Sequence, residues 1–263
     1  MIRRIYNLIP KGIQEKIKLL YYNTKISDYS FSIEEGNYRT KADESWSVLT
    51  LSPLYFIVND VNRYERFYKI LPGDIVIDAG ANEGILSLIY SQKATETGKV
   101  YAFEPDSKNI ETFQKNLKLN TGTHNISLQE KGLWRDTDLI EFFEAGTVGS
   151  SMFYEGDNSI KKMIEVTSID DFVRSANLKR LNFVKMDIEG AEIEALAGAV
   201  RTIKLFRPHF AIASYHKIDG VYTYVGLEDF FKEIDYPFKT IFYKDGEIIT
   251  YAGDFLNQHF PME

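Results

Sequence analysis

Apolar positions follow two rhythms along this chain. From about residue 70, short runs of consecutive apolar residues alternate with stretches whose apolar positions return every third or fourth residue. The runs at 75–77 (Ile-Val-Ile) and 100–103 (Val-Tyr-Ala-Phe) predict short buried strands, each followed by a helical pattern, at 84–92 and 106–119. In the second of these helices Ile110, Phe113 and Leu117 form the apolar stripe, Asp106 stands at the N-cap position and Asn120 at the end. Further strands are predicted at 128–130, 139–143, 182–186 and 209–213. Ser168 and Asp171 make a capping-box-like start for a helix bearing Ile169, Phe172 and Val173, and another helix is predicted over 190–199. Near the end, segments at 238–243 and 247–251 flank Asp245-Gly246, a two-residue hairpin signal. Repeated β-α units closed by an antiparallel hairpin predict an α/β fold, with a largely parallel sheet covered by helices on both faces.

The start of the chain differs. Residues 1–25 carry Arg3, Arg4, Lys11, Lys16, Lys18 and Lys25 against one acid, Glu15. Ile2, Ile5, Ile9, Ile13, Ile17 and Leu20 recur at helical spacing, and Pro10 suits the opening of a helix. Two readings stay open: a helix packed on the domain or on a dimer partner, or a basic amphipathic helix resting on an anionic membrane surface. The chain is therefore divided into residues 1–58, a basic helix with lead-in strands, and residues 59–263, the domain of β-α units.

Composition narrows the chemistry. The 263 residues include no cysteine, which excludes disulfides, thiolate metal sites and cysteine nucleophiles. A net charge of −7 argues against a nucleic-acid partner. The longest uncharged stretch, 45–59, is too short to span a bilayer, and 1–10 lacks the apolar run of a signal peptide, so the expected location is cytoplasmic.

Three motifs carry chemistry. Asp78-Ala-Gly80-Ala-Asn82-Glu-Gly84 follows a strand and precedes a helix. Gly80 permits the tight turn, Gly84 a close approach of helix, strand and ligand, and Asn82 tolerates a left-handed backbone. A ligand there meets free N–H groups at a helix start. The second motif is Glu104, at the end of the next strand and 26 residues beyond Asp78, where Rossmann-like folds place an acid that accepts from both ribose hydroxyls of a nucleoside. Pro105 keeps Glu104 extended. Asn82 breaks the dinucleotide fingerprint and no Walker turn is present, which leaves a phosphate-free adenosyl ligand, S-adenosylmethionine being the common one.

The third motif is Lys185-Met-Asp187-Ile-Glu189-Gly-Ala-Glu192, a strand ending in an acid and a helix opening with two more. Acids in a first helical turn are favoured by the macrodipole, which accounts for one of them better than for three around a glycine. Strand C-terminal ends are where open α/β sheets bind ligands.

Taken in order, Asp78–Gly84, Phe103-Glu-Pro-Asp106 and Lys185–Glu192 resemble the FkbM family of S-adenosylmethionine-dependent methyltransferases. The resemblance spans about residues 60–250, including Gly149-Ser150-Ser151 and Tyr215-His216-Lys217. It implies the Rossmann-like class I methyltransferase fold: seven strands, mostly parallel, with the last running antiparallel in a hairpin. It implies that Asp78, Gly80, Asn82, Gly84 and Asp187 surround the cofactor, that Glu104 holds the ribose, and that Gly132 and Trp134 lie toward the adenine. A tryptophan in a loop is also an ordinary core residue.

Methyl transfer to an alcohol needs alignment and a proton acceptor. Asp187 and His216 stand at neighbouring strand ends. An unperturbed imidazole matches neutral pH, so His216 is read as the base and Asp187 as the group that orients acceptor or cofactor. Asp187, Glu189, Glu192 and His216 also suit Mg²⁺ or Mn²⁺, a minor alternative that spacing alone does not establish. The resemblance implies O-methylation of a small-molecule hydroxyl, on a sugar, glycan or natural product, with Tyr215, Tyr222 and Tyr224 nearest the acceptor side. Two rivals remain: a methyltransferase of RNA or protein on the same fold, and a silent adenosyl-binding partner protein.

Overall fold

The computed structural model describes residues 10–42, 45–144 and 160–254, so Gly149-Ser150-Ser151 and the isoleucines before Pro10 lie outside the described residues. The chain divides near residue 60 into two compact units.

The first unit joins helix α1 (Lys11–Lys25) to an antiparallel meander of β1 (Ser30–Glu34), β2 (Asn37–Ala42) and β3 (Trp46–Thr50). Asn23 clamps the helix end to β1 by exchanging two 2.8 Å hydrogen bonds with the main chain of Phe31. Tyr22 stacks on Tyr55, and Glu15 accepts a hydrogen bond from Tyr38. Ile13, Ile17 and Leu20 face outward, because the helix is held to the meander through its other side.

In the second unit, α2 (Val58–Tyr64) precedes β4 (Ile75–Ala79), α3 (Ile85–Ala94), β5 (Lys99–Phe103), α4 (Ser107–Leu119) and β6 (Ile126–Gln129). A small sheet follows, of β7 (Gly132–Leu133), β8 (Asp138–Glu144) and β9 (Ile160–Thr167) in the order β7-β9-β8. Then come α5 (Ile169–Ser175), β10 (Phe183–Met186), α6 (Glu192–Ala197), α7 (Val200–Phe206) and β11 (His209–Ala213). A short ribbon, β12 (Lys217–Ile218) with β13 (Val221–Tyr222), leads to α8 (Thr223–Glu233) and the closing pair β14 (Phe238–Phe242) and β15 (Ile248–Ala252).

The main sheet has seven strands in the order β14-β15-β11-β10-β4-β5-β6. Only β15 runs against the rest, pairing antiparallel with both β11 and β14. All four residues of β10 are buried, as expected of a parallel strand covered on both faces. Phe210, Ile212, Val184 and Ile77 from the sheet meet Leu196, Ile203, Leu227 and Phe231 from the helices in one core.

Local chemistry sets the element ends. Asp106 accepts from the N–H groups of Lys108 and Asn109, and Ser168 accepts from that of Asp171. The helix predicted over 190–199 is α6, and α7 follows it directly. Gly198 interrupts them where a Cβ would run into the carbonyl oxygens of Trp134 and Arg135. The hairpin loop is longer than its two-residue signal: Tyr243 donates its N–H to the Glu247 carbonyl at 2.8 Å, and Gly246 takes φ +100° inside. The segment predicted at 139–143 is a strand, but it belongs to the small sheet, where it pairs with β9.

Two features hold the strand tips together. Lys185, on β10, pairs with Asp78 on β4 at 3.2 Å and donates to the carbonyls of Ala79 and Gly80. Gly80, at φ +71°, lies under the backbone of Asp187, where a Cβ would strike the Asp187 carbonyl. A buried charge left without its partner costs about 3–5 kcal/mol. Lys185→Met is therefore expected to lower unfolding free energy by about that amount in urea titrations, and adding Asp78→Asn to restore part of it. A single variant as stable as the parent would contradict this account.

Candidate active site

The tips of β4, β5, β10 and β11 bring the three motifs into one place. The chain leaves β4 through a turn in which the N–H groups of Gly80 and Ala81 both donate to the Phe103 carbonyl at 3.0 Å. Asn82 takes φ +50°, and its N–H donates to Glu104 Oε2 at 2.7 Å, so the glycine turn and the acid after β5 are directly bonded. Gly84 starts α3 at φ +80° with no side-chain cap, and a Cβ there would enter the ring of Phe113. Both glycines are thus required by close packing of the turn against neighbouring elements, Gly80 against Asp187 and Gly84 against Phe113.

Glu104 is almost fully buried. Its Oε1 accepts from the N–H of Asp106 at 2.9 Å and from the Asn109 amide at 3.3 Å. Burial pushes its carboxyl up to about 7, against the hydrogen bonds from Asp106, Asn82 and Asn109 that favour the ionised form. A carboxylate offers about four acceptor positions. Three are in use, so the reading of two ribose contacts needs the longest bond, from Asn109, to yield.

Asp78 faces inward. It is fully buried, accepting from Ser87 Oγ at 2.6 Å on one oxygen and pairing with Lys185 through the other. It shapes the turn and presents no surface to a ligand. Gly132 and Trp134 go elsewhere too. Gly132 pairs with Val166 in the small sheet, and Trp134 packs against its apolar cluster of Phe142, Ile164 and Val166. A cavity of about 330 Å³ between Tyr101, Gln129, Lys131 and Phe172 is also walled by none of the strand-tip acids.

At the tips of β10 and β11, three carboxylates surround one imidazole. His216 Nδ1 lies 3.1 Å from Glu192 Oε1, while Nε2 lies 3.4 Å from Glu189 Oε2 and 3.6 Å from Asp187 Oδ1. Glu192 is fully buried, and its Oε1 also takes the N–H groups of Ile188 and Gly190, which folds the Asp187–Glu192 loop around it. Glu189 stands at φ +55° in that loop. Tyr64, 123 residues before Asp187, donates its hydroxyl to Asp187 Oδ2 at 3.0 Å. Nothing in the sequence marks Tyr64, which lies in a short helix with no motif around it. Asp187 Oδ1 is buried with no hydrogen-bond donor in place.

This arrangement takes the imidazole out of an unperturbed setting. Burial opposes the charge on His216, but its hydrogen bonds to Glu189 and Glu192 and the charges of Glu192 and Asp187 outweigh that, raising its pKa to about 11. Burial pushes Glu189 up, against the hydrogen bond and charge of His216. Burial and the neighbouring acids push the Tyr215 hydroxyl up as well. The three carboxylates thus favour the protonated ring. Asp187, Glu192 and His216 place ligand atoms within 4.8 Å of one another, a spacing that suits a divalent ion once the ring has lost its proton.

Comparisons with known proteins follow this geometry. A family model, the methyltransferase FkbM domain, matches residues 78–238. The chain is 30% identical over 161 residues to Methyltransferase 1 of Beauveria bassiana, covering 51% of this chain and 63% of that protein. It is 28% identical over 143 residues to the hexuronic acid methyltransferase AglP of Haloferax volcanii, covering 54% of this chain and 56% of that one. The chain thus spans less than two thirds of the length of these curated relatives. Among solved structures, the methyltransferase FkbM of Methylobacillus flagellatus KT matches with a TM-score of 0.56 at 23% identity, covering 73% of this chain and 47% of that one. A putative rRNA methylase of Clostridium thermocellum matches with a TM-score of 0.50 at 13% identity, covering 75% and 94%. Both structures share the Rossmann-like fold.

The charge on His216 is directly measurable. Its folded pKa lies above the unfolded value of 6.5, so it stabilises the fold fully below pH 6.5 and that contribution is lost as pH rises toward about 11. With four histidines in the chain, the His216 resonances can be assigned by their loss in His216→Gln. They are expected to stay at imidazolium positions through about pH 9. A titration midpoint near the unperturbed value would refute the cluster's electrostatics.

Proposed function

The chain belongs to the methyltransferase FkbM domain family, and from that premise we propose that it is an S-adenosylmethionine-dependent O-methyltransferase acting on a sugar hydroxyl. The observation that carries this reading is the convergence, at the C-terminal tips of neighbouring strands, of the Gly80–Gly84 turn, Glu104 and the Asp187–Glu189–Glu192–His216 cluster.

The residues fit such a cofactor. Glu104 retains acceptor capacity for a ribose hydroxyl, the uncapped start of α3 offers N–H groups, and the acidic cluster suits a cationic sulfonium. Gly80, Asn82, Gly84 and Glu104 shape this side of the site, with Asp187 at its edge. When bound, S-adenosylmethionine supplies an electrophilic methyl group. The protein aligns the acceptor oxygen and takes up the proton it releases.

The proton goes to Asp187. Its Oδ1 has no donor, whereas Oδ2 is fixed by Tyr64 and His216 is already protonated. His216 is then a positioning cation that keeps three carboxylates together.

The acceptor side favours a sugar. The β12–β13 ribbon directly follows His216 and exposes Tyr222, whose ring stacks near Tyr224 at 6.0 Å with Lys217 Nζ 4.4 Å above it. A partly exposed aromatic ring carrying a cation suits the apolar face and polar rim of a sugar ring. AglP, a relative named as a hexuronic acid methyltransferase, supports the same class. The net charge of −7 weighs against an RNA acceptor.

Transfer of labelled methyl groups to a panel of mono- and oligosaccharides tests the reading, alongside calorimetric binding of S-adenosylmethionine. Asp187→Asn is expected to lower kcat by about a hundredfold or more. Tyr222→Ala is expected to raise KM several-fold with kcat kept. Because Glu104 must be ionised to accept from the ribose, cofactor affinity should weaken as pH falls through about 7. Tight cofactor binding with no transfer to any hydroxyl would favour a silent binding protein, and undiminished turnover in Asp187→Asn would remove the assigned base.

A further inference from the structure

Helix α1 turns the wrong face to water. Glu15, Leu19 and Tyr22 lie on one side, where Glu15 meets Tyr38 and Tyr22 stacks on Tyr55 at 4.0 Å. On the opposite side Ile13, Ile17, Leu20 and Tyr21 are 51%, 44%, 69% and 55% exposed. At 3.6 residues per turn these four fall within a stripe about 100° wide. Phe56, 74% exposed, stands edge-on to Tyr22 at 5.9 Å and adds to the apolar surface of this unit.

Charge frames the stripe. On the helical projection Lys16 borders it on one side, and Lys25, Lys18 and Lys11 stand beyond Tyr21 on the other. The helix has one acid, Glu15, and its carboxylate is taken by Tyr38 on the inner side. The outward part of α1 therefore carries four ammonium groups and no anion, on a chain whose net charge is −7. Two copies of this chain meeting through the stripe would set lysines against lysines. A surface that is apolar inside and anionic at its rim matches both features, and that is the cross-section of an anionic lipid leaflet. No helix among the described residues is long and apolar enough to cross a membrane, so the helix lies on the bilayer.

We infer that α1 is an interfacial anchor, seating Ile13, Ile17, Leu20 and Tyr21 at the acyl boundary of an anionic bilayer with its lysines among the headgroups. The inference stands apart from the catalytic reading, because it uses only residues of the first unit. A protein that modifies a lipid-linked or membrane-confined acceptor gains local concentration from such an anchor.

Co-sedimentation of the full chain with vesicles tests it. Phosphatidylcholine vesicles containing about a third phosphatidylglycerol are expected to bind at least tenfold more protein than pure phosphatidylcholine, an excess that should fall in about 0.5 M salt. Ile17→Asp with Leu20→Asp should lower binding about tenfold or more. Lys16→Glu with Lys18→Glu should lower it by roughly fivefold or more per residue. All four side chains sit on the outward part of α1, so the thermal unfolding midpoints should match the parent, which separates lost binding from lost folding. Equal binding to neutral and anionic vesicles, or unchanged binding by the aspartate variant, would overturn the anchor. So would a concentration-dependent dimer that Leu20→Asp dissolves in a protein that ignores vesicles.

Discussion

One buried ammonium group holds the strand tips in place. Lys185 sits on β10 in the middle of a sheet covered on both faces, where no water is at hand to solvate a charge. It is compensated by the Asp78 carboxylate on the next strand and by the carbonyls of Ala79 and Gly80 just beyond. The bonds that stabilise the charge therefore tie the end of β4 to the end of β10 and draw the glycine turn beneath Asp187. Gly80 lacks a Cβ at the point where the Asp187 carbonyl passes. Seating the glycine turn against Asp187 follows from satisfying that lysine.

The opposite problem is solved a few ångströms away. Asp187, Glu189 and Glu192 come together in a hollow partly closed to solvent, and a group of like charges there requires a cation. His216 supplies it by keeping its proton. The same ring lies 3.6 Å from Asp187 Oδ1. Glu104 follows a different balance. It is buried without a cation, so its charge rests on main-chain N–H donors, and its pKa settles near neutrality.

Much of the fold was legible because it depends on neighbours a few residues apart. Asp106 and Ser168 cap their helices through N–H groups two or three residues on, and Asn82 adopts the left-handed backbone that its side chain tolerates. The strand pattern, with its closing antiparallel pair, was readable from consecutive apolar runs. The reason for the break at Gly198 was not readable, because it is the carbonyl of Trp134, 64 residues earlier. The small sheet was missed as a unit because its strands pair across an intervening segment of chain.

The sequence by itself determined the order of motifs along the β-α units, and with it the strand ends at which Gly80, Glu104, Asp187 and His216 stand. Parallel β-α topology leaves little freedom in where such ends converge. Only the tertiary structure decided what each side chain does there. It turned Asp78 inward to Lys185, took Trp134 into the core of the small sheet and brought Tyr64 to Asp187. It also surrounded His216 with three carboxylates and set the isoleucines of α1 outward. Burial, partner and pKa depend on distances between residues far apart in the chain, and a linear pattern does not contain those distances.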